Sequence, residues 1–177
     1  MKKHEPSRSF HRHTIGAIIT ALKNLSAILA KAEKHAVKNK IEPQALLQAR
    51  LFPDMFPLIQ QLQYCCYLPV DFAQHFADGP APRVGYDEAD FDAVQKSITA
   101  TVAYLKSIDP DRLAERADRK VPVFFDSAKG MSAEDYGASV TMPDFYFHAT
   151  VAYAILRHNG VPLGKSDFLG TLALKPI

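Results

Sequence analysis

"FHATVAYAILRHNGVPLGKSDFLG", residues 147–170, is the stretch whose reading decides the fold. Its first half reads as the end of a helix that carries His148 and His158. Its second half is a glycine-rich tail, and Gly160 suits a left-handed helix stop. Upstream, Ser132 with Asp135 three residues later resembles a helix start. The helix is therefore predicted from about Ala133 to Arg157 or His158.

Three more helical patterns precede it. From about Thr14 to Lys38, Ile15, Ile18, Ile19, Leu22, Leu25, Ile28, Leu29 and Ala32 recur at three- and four-residue steps and form one apolar face. Thr14 or Ser9 can cap its start. "IEPQALLQARLFPD", 41–54, predicts a short helix that ends before Pro53, with Pro43 in its first turn. A second long helix is predicted from about Met55 to Ala77, capped by Asp54 and kinked near Tyr64–Pro69, because Pro69 removes an internal hydrogen bond. "DGPAPRVGY", 78–86, is a loop by its Pro and Gly content. Phe91, Val94, Ile98, Val102 and Leu105 give the stripe of a third helix from about Glu88 to Ser107. The connection that follows is too long for a plain turn. "KVPVFF" has strand composition and "SAKG" can make a tight turn, so a small hairpin or an ordered crossover is expected. Four long amphipathic helices bury one common core most economically as a bundle, and the long last connection permits a non-sequential crossover.

The 177 residues suit one domain, divided as a basic tail over 1–13 and a helical domain over 14–177. The net charge of +2 is concentrated in the tail, with no basic stripe continuing into the domain, so no nucleic-acid partner is expected. "IGAIITALKNLSAILA" is interrupted by Lys23 and Asn24 and reads as a core helix, not as a signal peptide or membrane span. A cytosolic chain is the expectation. Cys65 and Cys66 are adjacent, a geometry that disfavours a disulfide, and read as small buried apolar residues.

Phosphate loops, nucleophile elbows, H-E-x-x-H helices and zinc-spaced cysteine pairs are all missing from the sequence. His148 and His158 are ten residues apart, about 80° around the helix and ~15 Å along it, so one metal ion cannot hold both. His158, near a helix C-terminus, is expected to cap it. Asp144 lies four residues before His148 on the same face. Such a pair can share one divalent metal, or the carboxylate can simply orient the ring. Gln61 and Gln63 in the second helix are candidate hydrogen-bond partners for His148, with His75 near that helix's end. Phe145, Tyr146, Phe147 and Tyr153 make the fourth helix aromatic-rich, a core or interface signature.

"NLSAILAKAEKHA", "LLQARLFPDMFPL" and "PDFYFHATVAYAILRHNGVPLGKSDFLG" together resemble a bacterial family of uncharacterised proteins in the DinB-like superfamily, over nearly the whole chain from Thr14. The resemblance implies a four-helix bundle with up-down-down-up topology. It also implies a three-histidine metal site, with one ligand from the second helix and an H-x-x-x-H pair from the fourth, which in some members serves thiol S-transfer or isomerisation. By position the pair falls on Asp144 and His148, and the second-helix ligand near Gln61 or Gln63. Two of the three histidines are thus replaced, and no cofactor is expected, with zinc or nickel as the alternative. The expectation is a dimeric bundle with a small-molecule pocket at Gln61, Gln63, Asp144 and His148. The rivals are a metal-dependent transferase or hydrolase using Asp144 and His148, and a structural or interaction protein without ligand.

Overall fold

The computed structural model describes residues 9–75, 80–85, 88–123 and 126–175. The first helical run spans Ser9–Asn39. It opens through a π-helical turn, Arg12–Gly16, into α1, Ala17–Asn39. The run thus starts five residues before the expected Thr14, so residues 9–13 of the expected tail are helical; residues 1–8 lie outside the described residues. Phe10 is the physical reason. Its ring packs edge-on against Phe72 with centroids 6.4 Å apart, which ties this first turn to the core. Thr14 does not cap; its hydroxyl donates back to the Phe10 carbonyl at 2.7 Å. By length and composition alone this run could cross a membrane, which corrects the expectation that no segment qualifies. Lys23 is a single charge and too little to disqualify it. Ile18, Leu22, Leu25, Leu29 and Ala32 nonetheless lie buried in the bundle, each large side chain contributing roughly 1.5–3 kcal/mol.

Lys40, left-handed at φ 54°, ends α1. The short helix α2 is Pro43–Leu47, and α3 is Leu58–Gln74. Pro57, not the expected Asp54, occupies the position before α3, because its fixed extended backbone already sets the entry angle. Pro69 sits inside α3. α3 ends at Gln74 with His75 as its C-cap, short of the expected Ala77; residues 76 and 77 lie outside the described residues. α4 is Phe91–Lys106, capped by Asp90, whose carboxylate accepts from the Ala93 N–H at 2.8 Å. It starts after Glu88, whose side chain serves elsewhere.

A further short helix that the sequence reading passes over, α5, Pro110–Glu115, is capped by Asp109. The antiparallel hairpin follows as β1, Lys120–Val123, and β2, Asp126–Ser132, with Lys120 opposite Ser132 and Val121 opposite Met131. The "SAKG" stretch lies within β2, not in the turn; the joining residues 124 and 125 are outside the described set. Gly130 pairs opposite Pro122, and a Cβ there would come within 2.9 Å of the Val121 carbonyl oxygen.

The last long helical run starts at Ser132, as expected. Its hydroxyl accepts from the Asp135 N–H at 3.1 Å and donates to the Asp135 carboxylate at 2.7 Å. The run comprises α6, Ala133–Tyr136, a π-helical turn, Gly137–Thr141, and α7, Met142–His158. Gly137 lets the edge of Phe72 approach, since a Cβ would stand 2.9 Å from its Cζ. The bond to a terminal carbonyl expected of His158 is made by Asn159, whose amide donates to the Ile155 oxygen at 2.8 Å. Gly160, at φ 86°, closes the helix. A last short helix, α8, Lys165–Leu169, lies along α1, held by Lys31–Asp167 at 2.6 Å and by the Asn24 amide donating to the Phe168 carbonyl at 3.1 Å.

α3 packs against both α4 and α7, and α1 against α4 and α7. α3 is therefore walled on two sides. Gln61, Leu62, Gln63, Cys65 and Cys66 are all buried, although they point in different directions around the helix. Both cysteines are free thiols.

Candidate functional site

The site begins with two spacings. Asp144 and His148 are one helical turn apart on α7, and Gln61 and Tyr64 are one turn apart on α3. Packing α3 against α7 brings the two faces together. The His148 Nδ1 lies 2.6 Å from the Gln61 Oε1, and its Nε2 lies 3.3 Å from the Asp144 Oδ1. His148 is 6% exposed, whereas the Asp144 side chain is 36% exposed, so the group opens to solvent on the Asp144 side.

Gln61 decides which ring nitrogen carries the proton. Its Nε2 donates to the Phe56 carbonyl at 3.0 Å. Turning the amide over would set oxygen against oxygen, so Oε1 must face His148. An oxygen there only accepts, so the His148 Nδ1 must donate. In the neutral ring Nε2 is then a lone-pair acceptor beside a carboxylate oxygen. Burial lowers the His148 pKa below its ordinary 6.5, and the Asp144 charge pulls it back only in part. Near neutral pH the ring is therefore neutral, and its bare Nε2 and the Asp144 carboxylate are two acceptors 3.3 Å apart.

Aromatic rings frame this pair. Tyr64 stacks on the imidazole with centroids 4.7 Å apart and planes 9° apart. Phe56 stacks on Tyr64 at 5.4 Å, and Phe147 meets the imidazole edge-on at 5.4 Å. Tyr67 meets Tyr64 edge-on at 6.3 Å. Phe147 is 55% exposed and Phe56 40%, which is unusual for rings that also contact a buried histidine.

Gln63 is not part of the group. Two residues on from Gln61 it points about 200° away around α3. Its amide donates to the Glu88 carboxylate at 3.0 Å, whose other oxygen accepts from Ser97 at 2.5 Å. His75 is also elsewhere: its ring lies edge-on to Tyr136, and its carbonyl accepts from Arg119 at 2.9 Å. Tyr64 and Phe56 are the members that the sequence reading missed. The Gln61–Tyr64 spacing on one face was available to reveal the first. The second contributes a main-chain carbonyl from outside the helix, which no side-chain pattern encodes.

A three-ligand metal centre does not fit these residues. Among the described residues no group of three His, Cys, Asp or Glu side chains converges. Gln61, the nearest second-helix residue, has committed its oxygen to the His148 Nδ1 and its nitrogen to Phe56.

This fold is that of a DinB-type helical bundle. The chain is similar over 97% of its length, and over 97% of the other chain, to the crystal structure of a DinB family member protein from Shewanella denitrificans, with 29% sequence identity and a TM-score of 0.89. Residues 10–169 match the family model described as Domain of unknown function (DUF1993), and the chain belongs to that family. No curated protein matches it.

Proposed function

We propose that this protein is a small-molecule-binding bundle whose ligand seats at Asp144 and His148, inside the aromatic frame, and that it is not a metal-dependent enzyme. One observation carries the reading. The amide of Gln61 fixes the buried imidazole so that Nε2 is left as an acceptor 3.3 Å from the Asp144 carboxylate. A merely structural Asp–His pair would place the ring proton between the two partners. The second reading, a thiol S-transferase or hydrolase using zinc or nickel, draws on the 3.3 Å separation, which suits two ligands of one ion. Two ligands fall short of the three or four that zinc sites use. The third reading, a structural or interaction protein without ligand, leaves the aligned acceptors unexplained.

The bundle reading includes an up-down-down-up order of the four long helical runs, supported by the packing of α3 on α4 and α7 and of α1 on the same pair. One domain from α1 onward is supported by a single continuous core cluster. Cytosolic residence and homodimerisation at micromolar concentration belong to the same proposal, with no nucleic-acid or membrane partner. Val37, Leu172 and Leu174 leave exposed apolar area that can serve the dimer.

The test uses untagged protein. Metabolite screening by mass spectrometry should find a compound retained by the parent and lost on Asp144→Asn, with zinc and nickel well below one per chain. Stoichiometric zinc or nickel, lost on His148→Ala, would establish the metal reading instead. Retention of nothing would favour the third.

A further inference from the structure

We infer that the ligand group recognised at this site is an organic primary ammonium, held by the Asp144 carboxylate and the His148 Nε2 against the faces of the surrounding rings. The inference rests on the binding role proposed above and specifies its chemistry.

The argument starts from what the site offers. Both groups that converge there accept hydrogen bonds, and one carries a full negative charge. An anion, or a neutral acceptor such as a carbonyl, meets repulsion from both. A neutral alcohol can donate one proton, to one acceptor. A primary ammonium has three N–H donors and a positive charge, so it can serve Nε2 and Oδ1 together while leaving one donor for water. The 3.3 Å between the acceptors lets one nitrogen sit about 2.9 Å from each.

The rings supply the second half of the recognition. Tyr64, Phe56 and Phe147 all lie within 6.5 Å of the imidazole, centroid to centroid. Aromatic faces attract cations through the ring quadrupole and also bury the carbon chain that bears the ammonium. Half-exposed Phe147 and Phe56 are costly as solvated apolar surface but serviceable as walls for such a chain. A metal ion gains nothing from these walls, which lack strong donor atoms. Gln61 is spent on the ring's far nitrogen.

The charged and titratable groups around His148 agree with a cation. Asp144 is on its own helix; Tyr64 and the buried thiol of Cys65, which senses the Asp144 charge, come from α3. Protonating Nε2 would place an N–H and a positive charge where the ammonium binds. Affinity should therefore fall as acid protonates the ring.

The experiment is a titration of untagged full-length protein with phenethylammonium, 2-phenylethanol and tetramethylammonium, followed by NMR shifts of the His148 ring and by calorimetry. Zinc and nickel are run as competing probes. The expected result is saturable binding of phenethylammonium that shifts the His148 signals. It should be at least tenfold tighter than the alcohol, which lacks the charge, and than tetramethylammonium, which lacks N–H donors. Asp144→Asn should weaken it at least tenfold, and lowering the pH below the His148 transition should weaken it too. Asp144 is half-exposed, so this variant should fold; its circular dichroism and melting temperature check that.

Equal affinity for amine and alcohol, no effect of Asp144→Asn, or no saturable phenethylammonium binding overturns the inference. In any of those cases a screened compound of another class that binds here and shifts His148 leaves the binding role standing and refutes only the ammonium. If no compound shifts His148, both fall. Zinc or nickel displacing the amine at equimolar concentration would reassign the site to a metal.

Discussion

Replacing Gln61 with Leu isolates the element on which the site depends. Leu has similar volume and keeps α3 helical, but it removes the oxygen facing His148 and the nitrogen facing Phe56. The Nδ1–H of a ring that is only 6% exposed is then left without a partner. An unpaired buried donor costs about 1–3 kcal/mol. The Phe56 carbonyl lies beside an exposed residue, so water can replace the lost amide there at small cost. The expected loss of stability is therefore about 1–3 kcal/mol. For a chain of this size that lowers Tm by about 2–10 °C. Urea unfolding should show a lower midpoint with an unchanged slope. Gln74→Leu, on the exposed end of the same helix, should stay within about 0.5 kcal/mol of the parent. A Gln61→Leu protein as stable as the parent, or more so, would mean that the ring does not depend on this bond.

Acid should destabilise the fold before its carboxylates titrate. His148, His11 and His75 all have pKa values lowered below 6.5, each chiefly by burial. A depressed histidine holds its proton more weakly when folded, so its contribution is complete above pH 6.5 and is lost as pH falls through the folded value. Urea midpoints should drop between pH 7.5 and pH 5.5, and a rise would refute the burial argument. The thiols make a second prediction. Burial raises the Cys65 pKa and pushes that of Cys66 to about 12, so neither is a nucleophile at neutral pH. Ellman's reagent should modify them only at the rate of unfolding; fast reaction in native buffer would contradict their placement. Gly170→Ala should loosen the α8 strap, because at φ 67° a Cβ would meet Asn24 at 2.2 Å. Loss of the Asn24–Phe168 bond by hydrogen exchange would show it.

Much of the architecture was readable because it follows from periodicity. The apolar steps from Ile15 to Ala32, the Ser132 cap and the Gly160 stop each express a local rule, and each stands in the structure. The early start at Ser9 was not readable, since Phe10 is held by Phe72, a residue far along the chain. Asp109–Pro110 carried a readable start signal for α5, but the long charged connection hid it. At the site, the Asp144–His148 spacing gave half of the group. Choosing Gln61 over Gln63 required only the helical period, which sends the two amides to opposite sides of α3. The orientation of the imidazole was out of reach, because it depends on a main-chain carbonyl at Phe56 that turns the Gln61 amide.

The central claim is that Gln61 holds the His148 proton on Nδ1 and leaves Nε2 as an acceptor beside Asp144. Long-range proton–nitrogen NMR of protein labelled with nitrogen-15 histidine, recorded at pH 7.5, reads that directly. The account predicts a neutral ring with a protonated Nδ1 and a bare Nε2. A protonated Nε2 with a bare Nδ1, or an imidazolium persisting at that pH, would contradict it.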